Sequence, residues 1–416
     1  NDIRVGHTST GLVSSEVERW VWGRTVHWGD DPDHANHSYE PPEILWFTDG
    51  AGTATLMDCV GSKSTGNMPW GTTAWLRYRK AVLGGRQPVD YRRIHGMRHA
   101  LPGLREWMRV PGSEPAPNRD SDGRVRSVDL HVESPPAIPL CHRLNFCVQP
   151  SFRFRRDHAV DTTTLTETLL LQTEVCGRPR PWSEHKALHY ALRDLLRVAA
   201  WRPFRLNQQQ VLHTQDPVRV ISGRPIGKRW AEVIEPAARH QETHGQVAFL
   251  FRWDEVGGAA GFRRWLRLRE QFQRGIDPLL GTVSRGDTAL EIAMAQAAIG
   301  LDGLGYQMAL DAGANAEAAD GESHESRLLR VWDSLVVTPA GDRNRWASVG
   351  ANAYNAVKHA KRKSVPAQLA LDTLRTHQLV FRLWVASRLG AAAEAVAQHL
   401  EHDPLNAPSE VRSIDF

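Results

Sequence analysis

Only four cysteines are present, and Cys59, Cys141, Cys147 and Cys176 show neither CxxC spacing nor histidines at finger-like intervals. Their scarcity argues against a zinc finger and against a disulfide framework, and they read as reduced, mostly buried thiols. No apolar run approaches membrane-spanning length, and the opening residues carry no apolar signal core. The expectation is therefore a bacterial cytoplasmic protein without a membrane partner, with Asn1 standing where an initiator Met has been lost. A strong excess of one charge is also missing. The 51 Lys+Arg against 47 Asp+Glu leave +4, with Arg far outnumbering Lys, and that alone does not argue for nucleic acid. Residues 281–416 hold 13 Lys+Arg and 16 Asp+Glu, a balance of −3, which leaves +7 for residues 1–280.

What is present describes an ordinary folded chain, with 41% hydrophobic and 24% charged residues. At 416 residues it exceeds one average core, so two or three domains are expected. Residues 1–160 read as β-rich. Val128, Leu130 and Val132 alternate with Asp129, His131 and Glu133 as in a half-buried strand. Residues 44–47 and 53–57 flank Asp49-Gly50-Ala51-Gly52 as a hairpin. Tryptophans 20, 22, 28, 46, 70 and 75 supply the apolar area for such a sheet. The stretch from Pro111 to Asp122 reads as a surface loop. Residues 161–280 mix types: a helix N-capped by Ser183 with Leu188, Ala191, Leu192, Leu195, Leu196 and Ala199 inward, a strand at 246–253, then an amphipathic helix ending near Gly275 and Pro278. His34, His37, His95 and His99 read as scattered surface histidines rather than a metal or ligand site.

Beyond about residue 285 the pattern is helical. Leu290, Met294, Ala297, Leu301, Leu304 and Met308 alternate steps of four and three, as the seam of a bundle helix does. Its neighbouring face carries Glu291, Ala295, Ala298, Asp302, Gly305 and Ala309, small residues that admit a close helix, with acids able to pair with Arg or orient a histidine. A loop at 311–325 follows, then helices near 325–337, 343–363 and 366–389, and an alanine-rich end after Gly390. The fold class is α+β, with domains at 1–280 and 285–416.

The chemistry concentrates in Tyr354-Asn355-Ala356-Val357-Lys358-His359. Residues four apart share a helix face, so the Asn355 amide and His359 imidazole point together. An imidazole that moves a proton beside donors for a phosphate suits metal-independent RNA cleavage. The apolar stripe of this helix is Trp346, Val349, Ala353, Val357 and Ala360; the polar stripe is Arg345, Ser348, Asn352, Asn355, His359 and Arg362. A solvated outer stripe is the bland account of that pattern. Lys358, Lys361, Arg362 and Lys363 form a local basic run. Arg345 lies fourteen residues from His359, about 21 Å along an axis, too far to share one phosphate within a subunit. Tyr354 donates a hydrogen bond but carries no charge.

The helical part resembles the HEPN superfamily, whose RNases share an Arg, a polar residue that is often Asn, three residues and a His. The whole chain resembles the ApeA family of bacterial abortive-infection proteins, through Thr55-Leu56-Met57-Asp58-Cys59, Trp253-Asp254-Glu255 and Leu301-Asp302-Gly303-Leu304. The resemblance implies His359 as catalytic histidine, Asn355 as the polar motif residue and Asp302 as acidic partner, with Tyr354 where the arginine belongs. Lys358, Lys361, Arg362 and Arg345 become substrate-binding candidates. It further implies RNA such as tRNA as substrate, no cofactor or metal, a homodimer or higher oligomer in which one subunit's Arg345 approaches the other's His359, and a phage protein as trigger. Two alternatives stand beside it. One is an inactive HEPN protein acting as an RNA- or protein-binding regulatory module, and the other is a carbohydrate- or ligand-binding β-domain with a dimerising helical tail.

Overall fold

A computed structural model describes residues 2–7, 43–49, 52–67, 71–84, 88–235, 247–284, 288–359 and 361–406. Trp20, Trp22, Trp28, Trp70, His34, His37 and Ala360 lie outside them. The strands are β1 (Asp2–His7), β2 (Ile44–Asp49), β3 (Gly52–Met57), β4 (Val60–Asn67), β5 (Gly71–Arg77), β6 (Lys80–Leu83), β7 (Arg93–Ile94), β8 (Gly96–Ala100), β9 (Pro115–Arg119), β10 (Val125–Leu130), β11 (Ile138–Cys141), β12 (Phe146–Asp157), β13 (Thr162–Glu174), β14 (Arg180–Pro181), β15 (Asn207–Arg219) and β16 (Pro225–Ile234). The helices are α1 (Leu104–Met108), α2 (Trp182–Ala200), α3 (Gly258–Gln271), α4 (Gln273–Gly281), α5 (Leu290–Asp311), α6 (Ala316–Gly321), α7 (His324–Asp333), α8 (Arg343–Lys358), α9 (Ala367–Leu389) and α10 (Ala393–Leu400). A β-rich N-terminal region thus precedes a helical C-terminal one.

Two compact units emerge, and neither is contiguous in sequence. The first comprises residues 1–100, 171–186 and 207–243; the second comprises 101–170, 187–206 and 244–416.

In the first unit, strands pair in the order β8-β15-β16-β6-β3-β2, and β1-β5-β4 form a separate small sheet. The hairpin expected around residues 49–52 is present, with Asp49 opposite Gly52. Met57, Val82, Tyr91, Ile94, Val211 and Val233 form part of its core. Burying each such side chain contributes about 1.5–3 kcal/mol. Tyr91 donates its hydroxyl to Asp216 at 2.6 Å, and the Trp182 indole donates to the Tyr91 carbonyl at 2.6 Å. His95 and His99 are buried, not on the surface: His99 lies on β8, which is buried along most of its length, and His95 just before it is bonded through its backbone to Leu212 and Val175. The same strand requires Gly96: a Cβ there would lie 2.9 Å from the Thr173 carbonyl and from the Trp230 ring. The thiols are less buried than expected. Only Cys59 is buried, Cys141 and Cys147 are intermediate and Cys176 is exposed.

The second unit holds β11, β12 and the first part of β13, the β9–β10 hairpin, and nearly all of the helices. Every predicted inward residue of α2 is buried. The last carbonyls of that helix are claimed by a fully buried guanidinium. Arg382 Nε donates to Val198 O at 2.8 Å, Nη2 to Ala199 O at 2.7 Å and Nη1 to Asp403 Oδ1 at 2.7 Å. A cation at a helix C-terminus satisfies orphan carbonyls and opposes the negative end of the dipole. Three expectations fail here. Residues 115–119 are not loop but strand β9, whose prolines occupy an exposed two-stranded ribbon. Its partner β10 is exposed throughout, not half-buried. Residues 247–253 form no strand. Phe249, Leu250 and Phe251 are buried, but their segment is held by single bonds, such as Leu250 N–H to Ala199 O at 2.8 Å, so apolarity there meant burial without a ladder.

In the helical region the α5 seam is buried at Met294, Ala297, Leu301, Leu304 and Met308. Its small face works as expected. A Cβ on Gly305 would lie 2.6 Å from the Arg327 backbone of α7, so only glycine lets α5 and α7 approach this closely. Among the described residues, no helix is long and apolar enough to cross a membrane.

Candidate active site on the helical bundle

Helix α8 starts at Asp342, whose carboxylate accepts the Arg345 N–H at 2.6 Å, and its buried residues are Ala347, Gly350, Ala351 and Ala353. Gly350 is where α9 presses in, for a Cβ would stand 2.8 Å from His377 Cε1. Trp346 and Val349, predicted as inward, are only partly buried. The helix ends at Lys358 rather than near 363. His359 is its C-cap in extended conformation (φ −118, ψ 104), its N–H donating to Asn355 O at 3.1 Å. Lys358 faces Lys361 and Arg362 at helical spacings of three and four, and like charges so placed disfavour another turn.

That break sets the geometry of the predicted residues. Asn355 is partly buried and His359 is exposed. A turn closes behind the histidine, with Arg362 N–H donating to His359 O at 2.9 Å, so the Arg362 backbone returns beside the imidazole-bearing residue. Lys358, Lys361 and Arg362 are exposed, and the Lys358 ammonium sits 5.9 Å from the Tyr354 ring centre. Residues 343–371 contain six Lys+Arg and no Asp or Glu. Four of them, Lys358, Lys361, Arg362 and Lys363, lie within four residues of His359, whereas Arg343 pairs with Asp333 at the far end of the helix. Arg345 is exposed in the first turn of α8, at the opposite end of the helix.

Of the two roles expected for Asp302, pairing with Arg or orienting His359, the hydrogen bonds among the described residues show the first. Asp302 accepts His324 Nδ1 at 2.9 Å and Arg327 Nη1 at 2.6 Å. Burial alone would raise its pKa, but the hydrogen bond from His324 and the charges of His324 and Arg327 hold the carboxyl below its usual range. Arg327 also donates to the carbonyls of Ala319 and Asp320 at 2.8 and 3.0 Å, closing the end of α6. Tyr354 turns inward, its ring 4.9 Å from that of His324. Tyr354 is thus half-buried against the imidazole that Asp302 holds. Against Trp346, ring centres 5.5 Å apart, His377 is fully buried with neither ring nitrogen partnered among the described residues. Burial, then the charge of His324, pushes its pKa down to about 3. Asp302 and Arg327 also wall a cleft of about 510 Å³, together with Arg274, Tyr306 and Asp320.

Sequence reasoning missed His324 and Arg327. The signal was a His and an Arg three apart immediately after Ser323, whose side chain accepts the Ser326 N–H and caps α7. Such residues in a first turn ordinarily read as solvated. Among the described residues, no cluster of three or more His, Cys, Asp or Glu side chains is arranged to hold a metal ion. In comparison with known proteins, residues 12–265 match the family model described as ApeA N-terminal domain 1. No curated protein and no solved structure matches.

Proposed function

This chain belongs to the ApeA family by its N-terminal domain 1, and from that premise we propose that it is an abortive-infection effector of anti-phage defence whose helical region cleaves RNA without a metal. The observation that carries the reading is the exposed His359 at the break of α8, with Lys358, Lys361, Arg362 and Lys363 within four residues of it and no acid among them. An imidazole can take the proton of a ribose 2′-hydroxyl and return one to the leaving oxygen. Asn355 and Arg362 hold the scissile phosphate, with Lys358 and Lys361 contributing charge. The 2′-hydroxyl requirement restricts the substrate to RNA, tRNA among the candidates. Two copies bringing Arg345 of one to His359 of the other would replace the guanidinium that Tyr354 lacks, and a phage protein acting on the N-terminal region is the proposed trigger.

Purified protein should cleave RNA in EDTA, and His359→Ala should slow cleavage by about 100-fold or more. Cleavage that survives the substitution, or that stops in EDTA, contradicts the proposal. A second reading rests on Tyr354 itself, turned onto His324 where the motif has an arginine. It takes the helical region as a non-cleaving RNA-binding or regulatory module. It predicts no cutting by the wild-type protein and a gain with Tyr354→Arg.

A further inference from the structure

Strand β12 carries Phe-Arg-Phe-Arg-Arg over residues 152–156. Its first half is ordinary: Phe146, Val148 and Pro150 are buried and share one face. Continuing that face outward come Phe152 and Phe154, 48% and 64% exposed. The strand has outrun its body, and its core-facing register emerges into solvent as two aromatic rings. A short turn at 158–161 leads into β13, the neighbouring strand, whose outer residues Thr162, Thr163 and Thr164 are also exposed. On its other side β12 is paired with β11 only through Val148, so among the described residues no strand covers that edge from 149 onward.

Exposed edges are commonly blunted with charge, and the arginines alone would do that. Two neighbouring phenylalanines do the opposite, since they add sticky surface to an open edge, and so need another reason. Cα atoms two apart on a strand are about 6.7 Å apart, which lets each ring take one of two successive unpaired bases. An aromatic-x-aromatic pattern on an exposed strand is how sheet-based modules stack RNA bases. The cations fit phosphate. Arg153 and Arg155 are exposed with no ion-pair partner among the described residues, and Arg156 meets only the exposed Asp161, at 3.5 Å. Among the described residues, the other exposed rings on a strand, Trp46 and Phe47 of β2, are adjacent in sequence and so point to opposite faces, and the remaining projecting ribbons expose aliphatic side chains. β9–β10 exposes Val125, Val128 and Leu130, and the turn of β15–β16 exposes Ile221, which offer a base no face to stack on.

We propose that the outer half of the β12–β13 ribbon binds single-stranded RNA, Phe152 and Phe154 stacking two adjacent bases while Arg153 and Arg155 reach the flanking phosphates. This deepens the proposed RNA reading by giving the second unit a binding surface apart from His359.

The test uses the full chain and a fluorescein-labelled, 2′-O-methylated oligo(A) of about twelve nucleotides, which binds but cannot undergo transesterification. Anisotropy should show Phe152→Ala/Phe154→Ala weakening binding by about ten- to a hundred-fold, with Phe152→Tyr/Phe154→Tyr retaining it. Arg153→Ala/Arg155→Ala should reduce the salt dependence by about one to two charges. Unchanged affinity in the alanine pair overturns the inference, even if the protein cleaves RNA. So does a change of mass in light scattering on making that pair, which would mean the rings pack on another copy. So does an equal loss of affinity for duplex RNA. Ring-dependent binding by a protein that never cleaves would uphold this site and sink the nuclease.

Discussion

At the scale of single residues, the account depends on which polar groups have partners. Asp302 holds two cationic side chains at once, so Asp302→Asn removes charge from both hydrogen bonds. With Asp302 partly exposed, the expected cost is about 1–3 kcal/mol in urea unfolding. Arg382 is the harsher case because both it and Asp403 are fully buried. Arg382→Met leaves the buried Asp403 carboxylate without its cation, with only the Leu405 N–H, and the Val198 carbonyl without its donor, while Ala199 O keeps the Leu250 N–H; about 3–5 kcal/mol should be lost. The buried imidazoles set a pH dependence. His377 is pushed down to about 3 and, in the first unit, His185 to about 4, both chiefly by burial. Each stays neutral in the folded chain while the unfolded chain takes up a proton near pH 6.5, so the unfolded state binds more protons below that point. Stability is then complete above pH 6.5 and falls as the pH drops toward 4 and 3, by about 1.4 kcal/mol per pH unit for His377. Unfolding midpoints measured from pH 7 to 4 should show the decline, and His377→Leu should make it shallower. A flat profile in the wild type would contradict the assignment of neutral buried rings.

Among the elements, α5 was the most legible in sequence and α8 the least. The α5 seam repeats large apolar residues at steps of three and four, and Gly305 sits where the small face promised a close helix. Helix α8 buries mostly alanine and glycine, which carry almost no hydrophobic signal, so the visible Trp346 and Val349 drew the inward stripe about one residue off. The same small residues make a test. Gly350→Ala puts a methyl 2.8 Å from His377 and 3.2 Å from Leu328, and should destabilise by about 1–3 kcal/mol, whereas Gly313→Ala meets nothing within 4 Å and costs only its backbone strain at φ +96. The Asp302–His324 bond was not legible because its partners lie 22 residues apart on separate helices, and no spacing rule links them. The β9–β10 ribbon shows the converse. Period two correctly marked a strand but said nothing about whether any body lay beneath it.

For the whole molecule, composition and periodicity foretold a β-rich region followed by helices, and the family match covers residues 12–265. They could not foretell that two compact units would each draw on non-adjacent segments, because chain order carries no record of which strands close a unit. Nor does net charge locate the proposed site: Lys358, Lys361, Arg362 and Lys363 cluster in sequence around an exposed histidine in a region whose total is acidic. The central claim is that this histidine drives attack by the ribose hydroxyl. Mapping product ends after digestion in EDTA tests it most directly. The account predicts 2′,3′-cyclic phosphate and 5′-hydroxyl ends, with no cut where the scissile nucleotide is 2′-deoxy and none above background from His359→Ala. Ends bearing 5′-phosphate and 3′-hydroxyl, or the same ends at the same rate from the variant, would contradict it.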